Sequence, residues 1–377
     1  MANAEPYSDF TLLVDGKNAF PEIIRCIEQA EKSVYVNMFI WRDDGIGQRM
    51  AQAVLTAADR GAQVFLSIDR YGVVLEKCEE CKKSFFHKKQ TLLEKGKSRL
   101  LSLCYPMPGA PKKAADEESE LYRRIMRHPR ITVSCHAFKA DHSKYYIIDE
   151  RVLFLGGINI EDKENGADMQ GRVYQDYMVK LEGEAHVRAF FAKLREGKDV
   201  AEGYFFGINR KAARRFEMEE RYLSLIREAQ EELLITMAYF SPLPRFIDAI
   251  LEAHRRGVRV TVMIPERANF QNDTNRKTVR TLLKRSKGGV TVLLSPKMLH
   301  TKLMVSEKTI SLGSTNVTKK AFRQLDELNL FVENKPCAFC KALLSSVREN
   351  HALAHCILSY REIAYKKAYA FFEGFIV

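Results

Sequence analysis

The chain spells one short pattern twice, and that repetition limits its fold more than any other feature. The first copy runs His142-Ser143-Lys144, then Asp149, then Gly156-Gly157-Ile158-Asn159. The second runs His300-Thr301-Lys302, then Glu307, then Gly313-Ser314-Thr315-Asn316. Internal repeats come before other fold arguments, because missing one misassigns the whole chain. The surroundings repeat as well. The first half predicts a helix from 23–30 onward, a strand over 33–39, a helix ending at Gly61 and a strand over 63–68. The second half predicts a helix over 222–229, a strand over 233–238, a helix over 246–257 and a strand over 258–264. Gly61 and Gly257 stand where helix C-caps belong. Alternating strands and helices predict α/β layering, here two similar α/β/α sandwich domains related by a pseudo-twofold axis. Short apolar strands between amphipathic helices predict mixed, largely parallel sheets. The domains are placed at 1–190 and 191–377, with the site at their interface.

Each motif His leads into a strand. Lys144-Tyr145-Tyr146-Ile147-Ile148-Asp149 is rich in β-branched and aromatic residues, and Leu303-Met304-Val305 is apolar. Residues two apart on a strand share a face, so His142 and Lys144 look into one space, as do His300 and Lys302. A turn and a second apolar run follow each strand, a hairpin pattern that ends in small residues.

Two half-sites brought face to face would surround one phosphate with two imidazoles, two ammoniums and two amides. Lys144 and Lys302 can neutralise non-bridging oxygens, and Asn159 and Asn316 can donate hydrogen bonds to them. Neutral imidazole is a nucleophile near pH 7, and imidazolium is an acid. One His attacks phosphorus while the other protonates the leaving alcohol and then deprotonates the incoming one. That is a ping-pong route through a covalent phospho-His. Each imidazole needs a partner on its far nitrogen. Asp176, in Tyr174-Gln175-Asp176-Tyr177, and Glu327, in Asp326-Glu327-Leu328-Asn329, are assigned that role. Asp149 and Glu307 follow their His by seven residues and read as structural support, an ion pair or a turn cap. Gly156, Gly157 and Gly313 read as backbone devices, with Ser314 beside them.

These residues resemble the phospholipase D superfamily. Val34-Tyr35-Val36-Asn37-Met38-Phe39-Ile40-Trp41-Arg42-Asp43-Asp44, Asp141-His142-Ser143-Lys144, Gly156-Gly157-Ile158-Asn159 and Gln175-Asp176-Tyr177 resemble bacterial cardiolipin synthases in particular. The resemblance implies that His142 is the nucleophile, His300 the general acid/base, and the site metal-independent with no cofactor. It implies a phosphatidyltransferase that uses phosphatidylglycerol as donor and acceptor and releases glycerol. The alternatives are a phospholipase D-type hydrolase, with water as acceptor, and an endonuclease of the same superfamily acting on DNA or RNA. An apolar-walled cleft would favour lipid, and a continuous basic groove nucleic acid. Glu307 departs from the usual second Asp, and the segment near 78–120 has no recognised counterpart.

Spacing locates that segment independently. Gly61 and His142 stand 81 residues apart and Gly257 and His300 only 43, so the first half carries about 38 more residues. An insertion beside a catalytic motif is often a lid or a substrate-selecting element, and otherwise a surface excursion. Between the halves, Arg210-Lys211-Ala212-Ala213-Arg214-Arg215 predicts a linker helix with a solvated basic face, or a contact for anionic lipid. The net charge of +12 calls for an acidic partner, either nucleic acid or an anionic membrane surface.

Residues 1–10 hold no apolar signal core, and no run reaches the roughly 18–20 apolar residues of a spanning helix. The chain is therefore expected to be cytoplasmic and peripheral to a membrane, in contact with anionic phospholipid. The aromatic stretch 360–377 is expected to pack on its own domain, with an interfacial anchor as the alternative. Trp41 is expected in the core. The eight cysteines are expected as thiols. Cys78/Cys81 and Cys337/Cys340 form two Cys-x-x-Cys pairs that would hold a structural zinc if the fold joined them, with His87, His351 and His355 as spare ligands.

Overall fold

The computed structural model describes residues 6–75, 83–87, 90–105 and 119–376. Its framework is two mixed sheets of the same design. The first runs, edge to edge, Phe10–Val14, Tyr177–Glu182, Val152–Gly156, Tyr145–Ile148, Ser33–Met38, Gln63–Ile68 and Ile131–Ser134. The second runs Tyr204–Asn209, Glu327–Glu333, Thr309–Gly313, Lys302–Ser306, Glu232–Met237, Arg259–Pro265, Thr291–Ser295 and one additional edge strand, His355–Ile357. The repeat read in the sequence is thus a repeat of topology.

The expectation of largely parallel sheets is corrected. In the first sheet only the two pairs made by Gln63–Ile68 with its neighbours are parallel. In the second only the two pairs made by Arg259–Pro265 are parallel. All other pairs in these sheets are antiparallel. Parallel pairing needs a long crossover, whereas a strand followed by a tight turn must return antiparallel. The motif strands are hairpins of that kind, and helical crossovers serve only one side of each sheet.

Strand alternation separates two cores. Tyr146 and Ile148 point to the helices Asp15–Glu28 and Gly45–Asp59, while Ile147 between them points the other way. On that inner side Leu153, Leu155 and Val179 meet Leu303, Val305 and Leu312 of the second sheet. The helices Glu184–Phe191 and Ala338–Leu353 complete this shared layer. Both faces of the hairpin strands are therefore buried, which explains their continuous apolar runs. Trp41 is in the outer core, its Nε1–H bonded to the Gly47 carbonyl.

The basic run is not helical. Tyr204–Asn209 is the edge strand of the second sheet, and Arg210 to Arg215 form a turn closed by backbone bonds between those two arginines. The β-rich Tyr204-Phe205-Phe206 ahead of it outweighs the helix-favouring Lys-Ala-Ala centre. Cys337 caps the helix Ala338–Leu353, its sulfur accepting the Cys340 N–H. Cys78 and Cys81 lie outside the described residues. Among the described residues no three metal-ligating side chains gather, and His87 is bonded to Ser84 and the Cys135 carbonyl.

Asp149 and Glu307 both act as loop caps, not as ion pairs. Asp149 accepts the backbone N–H groups of Glu31, Lys32 and Ser33 at 2.9, 2.7 and 2.9 Å. Glu307 accepts those of Gln230, Glu231 and Glu232 at 3.0, 3.3 and 3.3 Å. Each cap fixes the loop that feeds the strand beside its motif strand. We expect Asp149→Ala and Glu307→Ala each to lower unfolding free energy by about 1–2 kcal/mol, read by urea titration. An unchanged midpoint would remove the caps from the stability account.

Candidate active site

The two repeats exchange short backbone bridges, and these carry the motif histidines together. Tyr174–Gln175 pairs with Met298–Leu299, and the His300 N–H bonds to the Gln175 carbonyl at 2.8 Å. On the other side the His142 N–H bonds to the Asp326 carbonyl at 2.8 Å, and the Asp326 N–H to the Ala140 carbonyl at 2.8 Å. Each His therefore arrives beside the acid that follows the bridging residue of the opposite repeat.

The pairing is crossed. His142 Nδ1 lies 3.1 Å from both carboxylate oxygens of Glu327. His300 Nδ1 lies 3.0 Å from Asp176 Oδ2. With Nδ1 engaged, Nε2 of each ring is the nitrogen left to face a substrate. Lys144 Nζ donates to the His142 carbonyl and Lys302 Nζ to the His300 carbonyl, and Lys302 also approaches Asp176 at 3.7 Å. All these side chains are buried. Asn159 and Asn316 line the same cavity as the two histidines. Asn316 Oδ1 accepts the Tyr239 N–H at 3.3 Å.

The motif glycines stand where a side chain would collide with its neighbours. A Cβ on Gly157 would strike the Asp176 carboxylate, and one on Gly313 the Leu328 carbonyl. Where the first repeat has Gly157, the second has Ser314, whose hydroxyl donates to Glu327 and whose Oγ accepts the Leu328 N–H at 3.0 Å. The two carboxylates are thus held differently, one by space and one by a hydroxyl.

Burial governs the protonation states. It pushes Asp176 up to about 7 and Glu327 up to about 8, against the pull of the buried lysines. It brings Lys144 down to about 7, with Lys302 adding to the fall. It holds both histidines well below their usual range, and the Lys144 and Lys302 charges push the same way. Burial thus works against charge on every one of these groups.

Three residues beyond the motif stand out. Glu164 is fully buried, with Oε1 at 3.3 Å from His300 Nδ1. That oxygen accepts no hydrogen bond, because the single Nδ1 proton goes to Asp176. Burial, then Glu161 and Asp176, pushes the Glu164 carboxyl well above the usual carboxylate range. Lys163 and Lys320 also line the cavity, and they sit over the rings of Tyr174 and Tyr71 at 5.2 and 4.8 Å. Each follows its motif Asn by four residues. That shared Asn-x-x-x-Lys spacing was the available signal, and the sequence reading passed over it. Glu164 left no such signal, since it has no partner in the second repeat's pattern.

Part of the cavity wall comes from the inserted segment and the stretch just before it. Leu75, Leu101 and Tyr105 line the cavity, and Tyr105 packs edge-on against Phe270 of the second repeat at 4.8 Å. The Gln271 N–H bonds to the Tyr105 hydroxyl at 3.1 Å. The described part of the insertion is therefore a wall that spans both repeats.

A neutral Glu327→Gln keeps an acceptor for His142 while removing a carboxyl whose folded pKa, about 8, lies above the ordinary 4.5. The parent loses stability as pH rises through that window. We expect the variant to gain stability relative to the parent from about 4.5 to about 8, in unfolding titrations across pH. A pH-independent difference would contradict the raised carboxyl. For His300, Asp176→Asn should cost roughly 10²–10⁴ in turnover, whereas Glu164→Gln should stay near the parent. The reverse ranking in steady-state kinetics would make Glu164 the orienting acid.

Comparison with known proteins places this geometry. The profile described as cardiolipin synthase, phospholipase-D-like domain matches residues 23–189 and 222–348. Cardiolipin synthase B of Shigella flexneri is 25% identical over 352 residues, covering 86% of this chain and 76% of that protein. Minor cardiolipin synthase ClsB of Bacillus subtilis is 23% identical over 359 residues, covering 91% and 81%. The crystal structure of phosphatidylserine synthase from Haemophilus influenzae superposes with a TM-score of 0.70 at 13% identity, covering 97% of this chain and 92% of that one, which is a likeness of fold.

Proposed function

The chain belongs to the phospholipase-D-like domain family of cardiolipin synthases, and we propose that it is a phosphatidyltransferase working through a phospho-His intermediate. The observation that carries this reading is the pair of crossed imidazole–carboxylate contacts set in an apolar-walled cavity. Phe39, Leu75, Leu101, Phe270 and Leu325 supply the apolar side chains of that wall. Such walls suit the glycerol backbone and first methylenes of a phospholipid, whereas a nucleic-acid backbone calls for a continuous basic groove. The relatives' names point the same way.

In this scheme the phosphate sits between His142 and His300, its non-bridging oxygens held by Lys144, Lys302, Asn159 and Asn316. His142 Nε2 attacks phosphorus, and a P–N bond forms as the P–O bond to the departing glycerol breaks. His300 gives its Nε2 proton to that oxygen. A second alcohol then enters, His300 takes its proton, and the new P–O bond forms as the P–N bond breaks. Glu327 and Asp176 keep each Nδ1 protonated, which leaves Nε2 for chemistry. With phosphatidylglycerol as donor and acceptor, the products are cardiolipin and glycerol. Water in place of the second alcohol gives phosphatidic acid, so exclusion of water by the apolar wall favours transfer.

The test is a product assay on purified protein with phosphatidylglycerol vesicles in EDTA. We expect cardiolipin and glycerol from the parent and none from His142→Ala. His300→Asn should slow a phosphatidyl substrate with a poor leaving alcohol by roughly 10²–10⁴ and an activated aryl ester far less. Phosphatidic acid as sole product would make the protein a hydrolase. Cleavage of DNA without any lipid product would overturn the reading.

A further inference from the structure

We propose that the inserted helix Leu92–Cys104 and the C-terminal helix Lys367–Ile376 form one docking surface for an anionic phospholipid bilayer, set beside the mouth of the cavity. Each helix is anchored by a few inward residues. On the inserted helix Glu94, Ser98 and Leu101 recur at helical spacing and are buried. Glu94 bonds Arg70 and the Thr91 N–H, and the Ser98 hydroxyl donates to the Val74 carbonyl at 2.9 Å. On the C-terminal helix Ala370 and Glu373 are buried. Glu373 accepts the N–H and hydroxyl of Thr274 at 2.7 and 2.8 Å.

The other faces point to solvent and carry large apolar side chains among cations. Leu92, Leu93 and Leu100 are 88%, 68% and 58% exposed, and Phe371 and Phe372 are 62% and 57% exposed. The two helices are neighbours. Both meet the second repeat at one corner: Tyr105 bonds Gln271, and Glu373 bonds Thr274 three residues on. Exposed Phe138 extends the patch toward the cavity, packing edge-on against the cavity-lining Tyr71 at 6.5 Å. Isolated surface leucines need no explanation, but this many together mark a contact.

Charge selects the occupant. The only carboxylates on the two helices are Glu94 and Glu373, and both are buried and bonded within the protein. The exposed charges, Lys95, Lys97, Arg99, Lys367 and the adjoining Lys366, are all positive. A second copy meeting this face isologously would set cation against cation. An anionic lipid surface takes up the leucines and phenylalanines and pairs with the lysines. Among the described residues no helix is long and apolar enough to cross a membrane. Through Leu101 and Tyr105 the same segment lines the cavity, which puts the bilayer next to the path of the substrate.

The choice of bilayer rests on the phosphatidyl-transfer reading, so binding is measured apart from turnover. The full chain is sedimented with phosphatidylcholine vesicles, with and without phosphatidylglycerol. One variant is Lys95→Gln with Lys97→Gln and Arg99→Gln; the other is Phe371→Ser with Phe372→Ser. We expect binding only where phosphatidylglycerol is present, weakened by salt. The charge variant should lose roughly fivefold per cation, and the aromatic variant roughly tenfold per side chain. Turnover of a monomeric short-chain phosphatidylglycerol should stay at the parent level in both. Parent-like vesicle binding by either variant would overturn the proposal. So would a parent that dimerises through this face, seen as a shift to monomer in both variants by sedimentation velocity. Vesicle binding without any phospholipid turnover would instead overturn the transferase reading and leave the docking surface standing.

Discussion

Everything at this site hangs on the exchange of a carboxylate for an imidazole between the two repeats. His142 is aligned by Glu327 and His300 by Asp176. Neither repeat holds both members of either pair, so neither could orient its own His alone. The exchange is supported by backbone, because the bridges at Gln175–His300 and Asp326–His142 hold each ring beside its carboxylate partner. Those bridges lie where the two sheets face one another across a shared apolar layer. Packing of the sheets thus sets the chemistry, and the buried polar groups set the register of the packing.

The same burial sets the electrostatics. A carboxyl pushed up to about 7 or 8 and a lysine brought down to about 7 describe a site whose burial disfavours charge. That cost is carried by stability, in the manner of preorganised sites generally. The apolar wall lowers the local dielectric, which strengthens charge–charge contacts beside it. Part of that wall belongs to the insertion, so a segment absent from the second repeat helps to tune a centre that both repeats build.

The two halves are alike in plan and unlike in detail. Gly157 leaves room for Asp176, whereas Ser314 holds Glu327 with a hydroxyl. Glu164 crowds His300 and has no counterpart beside His142. Lys163 and Lys320 keep the same spacing from their Asn, yet Lys163 pairs with buried Glu161 at 3.2 Å and Lys320 bonds the Tyr71 hydroxyl at 2.9 Å. Such asymmetry suits a reaction in which one imidazole attacks and the other shuttles a proton.

The sequence by itself determined the repeat, the strand that each motif leads into and the residue types that gather at the site, because these are local properties of period and composition. Asp149 and Glu307 were legible as structural, since seven residues of largely extended chain place a carboxylate beyond reach of its own His. The tertiary structure decided the rest. Which acid serves which His, the antiparallel majority of the sheets, the edge strand Tyr204–Asn209 ahead of the basic turn, and the insertion as a wall against Phe270 all depend on contacts between residues far apart in the chain. A periodic pattern reports which face of an element is buried, but not what buries it. Only the meeting of two sheets could show that each half completes the other.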